Sequence, residues 1–138
     1  MAVGYSIDFL WYPIGIGDLV HGFFSTICYH LEDGDWEKNY PLLMNELYQG
    51  ELKWTDVDEA IKELKMIEKE LKKFPAGEVI WDIEDLSRQP PWGKDISSDI
   101  SDLSDYFVTS DGRNLIKLTF AALEDAKSEE ENLKLESL

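Results

Sequence analysis

The chain has 138 residues, and its 29 acidic against 13 basic side chains give a net charge of −16. Nucleic acids and anionic membranes are bound through clustered Lys and Arg, so this charge argues against both as partners and favours a basic partner. With 43% hydrophobic residues and five Trp, the composition predicts one packed domain and excludes an acidic disordered chain.

The start of the chain lacks the marks of a targeting segment. It has no basic region before its apolar residues, Asp8 interrupts them, and no apolar run is long enough to span a bilayer. Cys28 is the single cysteine, which excludes an internal disulfide and fits a reducing compartment. We therefore expect a cytoplasmic protein.

The N-terminal third predicts a strand followed by a helix. Alternating apolar residues, from Val3 to Trp11, predict a strand over residues 3–12. Gly15 and Gly17 end it, and Asp18 is expected to cap a helix that runs to Leu31. One stripe of this helix is apolar and should face the sheet, while a second stripe should face away: Gly22, Ser25, Thr26 and Tyr29.

The middle of the chain predicts two more helices. Pro41 opens a short one that Gly50 ends, and Thr55 is expected to cap a longer one that Pro75 ends. A strand is then predicted over residues 78–84, with Asp82 and Glu84 on its polar face. Because Pro90 and Pro91 each fix a φ angle, Trp92 should be presented on a stiff loop.

The last third predicts a short strand over residues 106–109 and a helix over residues 114–127, buried on two sides in its first half. Residues 128–138 are acidic and are expected to fray. The predicted fold is thus α/β of the α+β type. A small sheet of about three strands is covered by about four helices in a single domain, residues 1–127.

Two groups of residues are candidates for a binding surface. Asp82 and Glu84 share a strand face beside Asp85, which is compatible with a catalytic carboxylate pair, a hard-cation site, a solvated face or an acidic patch for a partner. Trp36 and Trp92 lie among acids, which is typical of protein interfaces, although a Trp is often a plug over the core. Asp33 and Asp35 precede Trp36.

His21, Cys28 and His30 invite a thiol or metal interpretation. His21 and Cys28 are about 10 Å apart along one helix, too far for direct activation of the thiol. No cysteine pair or His-x-x-x-His spacing supports a zinc site. The residues therefore predict neither a metal nor a cofactor.

Four segments carry a family resemblance: GYSIDFLWYPIG, YPLLMNELYQGELKW, FPAGEVIWDIEDLSRQPPWG and YFVTSDGRNLI. In this order, the chain resembles the bacterial immunity proteins of polymorphic toxin systems, immunity family seventy. The resemblance implies a small cytoplasmic protein, not an enzyme, that binds and silences the toxic domain of a cognate toxin, as in contact-dependent growth inhibition. It implies no particular binding residues.

The leading hypothesis is that an acidic and aromatic surface binds and occludes a basic toxin, of which a nuclease is one example. This surface consists of Asp82, Glu84, Asp85 and Trp92, with Asp33, Asp35 and Trp36. One alternative is a small metal-dependent hydrolase that uses Asp82, Glu84 and His21. The other is an interaction module for a basic partner that is not a toxin.

Overall fold

A four-stranded antiparallel sheet carries the fold in the computed structural model, which describes residues 2–36, 38–93, 96, 98 and 100–137. Its strands are β1 (Ala2–Ile7), β2 (Leu10–Ile16), β3 (Glu51–Leu52) and β4 (Leu133–Ser137). Their order across the sheet is β2-β1-β4-β3. The predicted α+β class is therefore confirmed, with one strand more than expected.

The strand predicted over residues 3–12 is a hairpin of β1 and β2 instead. The chain reverses at Asp8 and Phe9, where Asp8 takes a left-handed φ of 51° and Ile7 pairs with Leu10. The apolar alternation runs on through the turn, so the pattern alone hides it. Phe9 stands at the tip with 95% of its surface exposed.

The expectation of a frayed tail is wrong for residues 133–137, because β4 lies inside the sheet between β1 and β3. Leu133 is fully buried and Leu135 packs against the core, while Lys134 and Glu136 point outward. This is the alternation of a strand with one solvated face. The acids around it make the segment resemble a disordered end.

Four helical segments match the four predicted helices. They are α1 (Gly17–Leu31), a six-residue π-helical segment (Leu42–Leu47), α2 (Val57–Leu71) and α3 (Leu115–Glu129). The two predicted caps are wrong: α1 starts after Ile16 without a side-chain cap, and Thr55 lies in a 3-10 turn before α2. Asn114 does cap α3, since its side chain accepts from the Lys117 N–H at 3.0 Å.

The segments 78–84 and 106–109 are not strands of the sheet. Residues 79–84 follow a 3-10 turn (Ala76–Glu78) and lie against α1, whose hydroxyls replace a neighbouring strand. Thr26 Oγ1 accepts from the Ile80 N–H at 3.0 Å, and Ser25 Oγ accepts from the Ile83 N–H at 3.1 Å. In the second segment, Val108 forms an isolated bridge to Asn114.

Helix α1 is buried on both sides as a result. Gly22, Ser25 and Thr26, predicted to face away from the core, are covered by the segment that follows Ala76. The two-sided burial predicted for α3 is confirmed, and Tyr5 of β1 reaches Thr119 of α3 through a buried hydroxyl pair at 2.8 Å. In the described part of the chain, no helix is long and apolar enough to cross a membrane.

Candidate functional site: an acidic and aromatic face

Asp82 is buried and is held by three donors. Its carboxylate accepts from the Glu84 backbone N–H at 2.9 Å, lies 3.1 Å from His21 Nε2, and accepts from Arg88 Nη1 at 3.0 Å. These contacts, the Glu84 N–H first, hold the pKa of Asp82 below its usual value. Asp82 therefore positions the surrounding chain, and most of its oxygen surface is already occupied.

Arg88 extends this network to the start of α1. Its second terminal nitrogen lies 3.4 Å from the Asp18 carboxylate, so that Arg88 bridges Asp82 and Asp18. Asp18 was predicted as a helix cap and instead takes part in this ion pair at the surface. Arg88 was not singled out from the sequence, where the only signal is a lone base within an acidic stretch.

His21 connects Asp82 to Tyr48. Because the ionised Asp82 can only accept, His21 Nε2 donates to it, and His21 Nδ1 lies 2.5 Å from the Tyr48 hydroxyl. Burial, followed by the Glu84 and Asp82 charges, raises the pKa of Tyr48. The hydroxyl is thus a poor nucleophile, and the arrangement fastens α1 to the segments around residues 48 and 82.

Trp36 is connected to this network through Tyr48. The two rings stack with centroids 5.1 Å apart and planes 15° apart, and Trp36 is half-buried. Asp33 is exposed, has a φ of 53° and pairs with Lys38 at 2.6 Å. Asp35 is exposed as well. The two predicted groups are therefore linked by the series Trp36, Tyr48, His21 and Asp82.

Glu84 and Asp85 lie at the surface beside the buried Asp82. Asp85 Oδ1 accepts from both the backbone N–H and the hydroxyl of Ser87, at 3.1 and 2.6 Å, which shapes the turn after the carboxylates. The Asp85 N–H also donates to the Asp82 carbonyl at 3.1 Å. The turn presents two exposed acids on a backbone that is fixed by its own hydrogen bonds.

Trp92 is exposed but rigidly held. Its indole N–H donates to the Tyr106 hydroxyl at 2.7 Å, and its ring meets the buried Trp81 edge to face at 5.5 Å. The turn that carries it is closed by the Gly93 N–H on the Pro90 carbonyl at 2.8 Å. An aromatic side chain fixed in this way loses little entropy when a partner covers it.

Cys28 and His30 take no part in this face. Cys28 is fully buried, and burial, followed by the Glu32 and Asp35 charges, raises its pKa to about 11. His30 Nε2 lies 2.7 Å from the Glu78 carbonyl, and its ring packs on Phe74. Among the residues that the structure describes, no group of three or more His, Cys, Asp or Glu side chains is arranged to hold a metal ion.

An apolar groove beside Trp92 was missed from the sequence. Ile16, Leu19 and Trp81 form part of its wall, and Val108 and Ser110 complete it. Its residues come from four separate stretches of chain, so no local pattern marks it. The one available signal in the sequence is the apolar Ile16 between Gly15 and Gly17.

The exposed Trp92, the exposed carboxylates on a hydrogen-bonded turn and the apolar groove beside Trp92 are features typical of protein-binding surfaces. Residues 5–135 match the family model described as Immunity protein 70. The chain belongs to this family of immunity proteins of polymorphic toxin systems, and the family resemblance is confirmed. No significant match was found among curated proteins or solved structures.

Proposed function

We propose that this protein neutralises a cognate toxin domain by binding it stoichiometrically through the face that carries Glu84, Asp85 and Trp92. The observation that carries this proposal is that the held, exposed Trp92 packs on Trp81, the residue directly before Asp82, whose carboxylate fixes the turn that exposes Glu84 and Asp85. Membership of an immunity family supports the immunity role. In this proposal Asp82 orients the surface and does not itself touch the toxin.

The partner should be basic. A net charge of −16 steers a cationic surface toward this protein and can raise association rates by roughly 10- to 1,000-fold, an effect that salt suppresses. Nucleases need basic surfaces to hold phosphates, so a nuclease toxin fits this charge. The protein would act in the cytoplasm of the cell it protects, by covering the toxin surface.

Asp33, Asp35 and Trp36 form the second part of the proposed surface. Trp36 stacks on Tyr48, which contacts His21, which in turn contacts Asp82. This connected series keeps the two parts in a fixed relation. Trp36 is half-buried, so its contribution is smaller than that of Trp92.

The hydrolase alternative has one observation in its favour, because His21 and Asp82 do meet at 3.1 Å. Against it, Asp82 is also occupied by Arg88, and the raised pKa of Tyr48 keeps that hydroxyl protonated. A catalytic base would need an open face toward a substrate. The geometry favours a structural role for the pair.

The test uses the toxin domain encoded by the reading frame beside the gene. Its affinity is measured for the wild-type protein and for the double variant Glu84→Lys/Asp85→Lys. The matched control is Glu124→Lys/Glu129→Lys, which changes the net charge equally on exposed positions of α3. We expect the first pair to weaken binding by about 10- to 100-fold, mainly through slower association, and the control to change it far less.

Equal losses in both double variants would mean that net charge alone acts and that this face is not the contact. Absence of any binding by the wild-type protein, together with survival of toxin-producing cells that lack it, would contradict the immunity role itself.

A further inference from the structure

The groove beside Trp92 gathers exposed apolar side chains. Ile16, Trp92 and Val108 are 50%, 41% and 42% exposed, and they are three of eight large apolar residues with exposed surfaces in the described chain. All three line the groove, whose volume is about 190 Å³. Contiguous exposed apolar surface of this kind marks interaction sites.

The size of the groove limits what it can accept. Sites for small molecules and cofactors usually measure roughly 300 to 1,000 Å³, and this groove is smaller at about 190 Å³. It can take one apolar side chain but not a helix or a nucleotide. Its walls are mostly carbon, which suits an aliphatic or aromatic group.

The walls of the groove are fixed before a partner arrives. Trp92 is held by Tyr106, and Trp81 is packed against Gly22 of α1. On the opposite side, the Ser110 N–H donates to the Ile14 carbonyl at 2.8 Å, which joins the loop of residues 108–110 to the edge of β2. Such preorganisation lowers the entropic cost of binding.

Two exposed acids are close along the chain to residues that line the groove. Asp18 comes two residues after Ile16 and pairs with Arg88, and Asp111 comes directly after Ser110. A second copy of this chain would bring a further charge of −16, so self-association through this groove is disfavoured. An apolar side chain flanked by Lys or Arg complements both the groove and the net negative charge of the protein.

We infer that this groove is the binding site for one apolar side chain on a basic segment of the toxin. The inference rests on the proposed immunity function and deepens it by naming the anchor point. The carboxylates of Glu84 and Asp85 would govern how fast the complex forms. The filled groove would govern how slowly it dissociates, as buried anchors do at interfaces.

The test fills the groove without removing a charge. Ser110 is exposed, and its backbone contact to Ile14 survives substitution, so Ser110→Trp places a ring in the space. The matched control is Met66→Trp, which adds the same side chain at an exposed position of α2. With the toxin domain from the adjacent reading frame, we expect Ser110→Trp to speed dissociation at least about 30-fold, with an unchanged salt dependence of association.

A second variant distinguishes loss of the groove from misfolding of Ser110→Trp. Ile16 flanks the start of α1, which has no side-chain cap, so Ile16→Ser removes one wall of the groove while supplying a capping hydroxyl. It should weaken binding about 10-fold without loss of thermal stability. Unchanged dissociation in both variants would overturn the groove as anchor and leave the immunity function standing. Absence of binding by the wild-type protein would overturn both.

Discussion

Asp82 is the residue whose role changes most between sequence and structure. Its position in an alternating segment predicts an exposed acid that contacts a partner. In the structure it is buried, and three hydrogen-bond donors surround its carboxylate. A buried carboxylate with its acceptor sites filled orders the chain on either side. The exposed Glu84 and Asp85 owe their placement to it.

The pH dependence of the free energy of unfolding should reflect the lowered pKa of Asp82. The pKa of Asp82 is lowered below 3.8 in the folded protein, so its contribution is present above about pH 4 and is lost as the pH falls through the lowered pKa. Asp82→Asn should therefore destabilise the protein at pH 7, and its difference from wild type should shrink below pH 4. Urea unfolding at a series of pH values measures this.

Glu32 provides the comparison with the opposite sign. It is fully buried, and burial raises the pKa of its carboxyl above 4.5, although the Asn39 N–H donates to it at 2.8 Å. Its ionisation thus lowers stability as the pH rises above about 4.5, and Glu32→Gln should reduce that loss. If the free energy of unfolding of each variant differed from that of the wild type by the same amount at every pH, both pKa assignments would be contradicted.

At the scale of elements, the contact between α1 and the segment around Trp81 decides the shape of the proposed binding face. Helix α1 provides Gly22, against which the Trp81 ring packs, and the hydroxyls of Thr26 and Ser25, which accept from the backbone of residues 80 and 83. Together they replace the strand that the sequence predicts over residues 78–84. Alternation shows that a segment is half-buried, but it cannot show whether a strand or a helix covers it.

Gly22→Ala should disturb this contact. An added Cβ would lie 2.8 Å from Cε3 of Trp81 and 3.1 Å from Cζ3, so the buried ring must move. We expect a loss of about 1–3 kcal/mol in the free energy of unfolding, as for other overpacked sites, and a shift of Trp fluorescence. Thermal unfolding and emission spectra measure the two effects.

The control is Gly77→Ala, since a Cβ there meets nothing within 4 Å and the residue has an ordinary backbone conformation. Equal stability of the two alanine variants would show that Trp81 adapts without cost and would remove this support for the rigidity of the groove.

At the scale of the whole molecule, the sequence predicts the elements that local patterns determine. It does not predict the features that form only when segments distant in the chain come together. The four helices follow from periodicity, and Trp92 on its stiff loop follows from the two prolines. The hairpin at Asp8 and strand β4 do not, because their patterns continue across a turn or resemble a charged tail. The groove between Ile16, Trp92 and Val108 is assembled by the tertiary fold alone.

Cys28 should report on the opening of the whole molecule. Its thiol is fully buried with a pKa of about 11, so a thiol reagent at pH 8 should reach it only through unfolding. Leu133→Ala, in the fully buried start of β4, should destabilise the protein by about 2–5 kcal/mol and speed labelling in proportion. Leu86→Ala, at an exposed position, should leave the rate unchanged. Equal rates for both variants would mean that Cys28 is reached by local opening.

The central position of β4 also determines when the sheet can form during synthesis of the chain. β1 and β3 each pair with β4 and are joined through it, so the sheet stays open until the ribosome has made residues 133–137. At 5–20 residues per second, synthesis of the 130 residues from the end of β1 at Ile7 to the end of β4 at Ser137 takes about 7–26 s, and the sheet closes only afterwards. Under the proposed function, a cell attacked without finished protein has no protection during this interval. Survival then depends on molecules completed before the toxin enters.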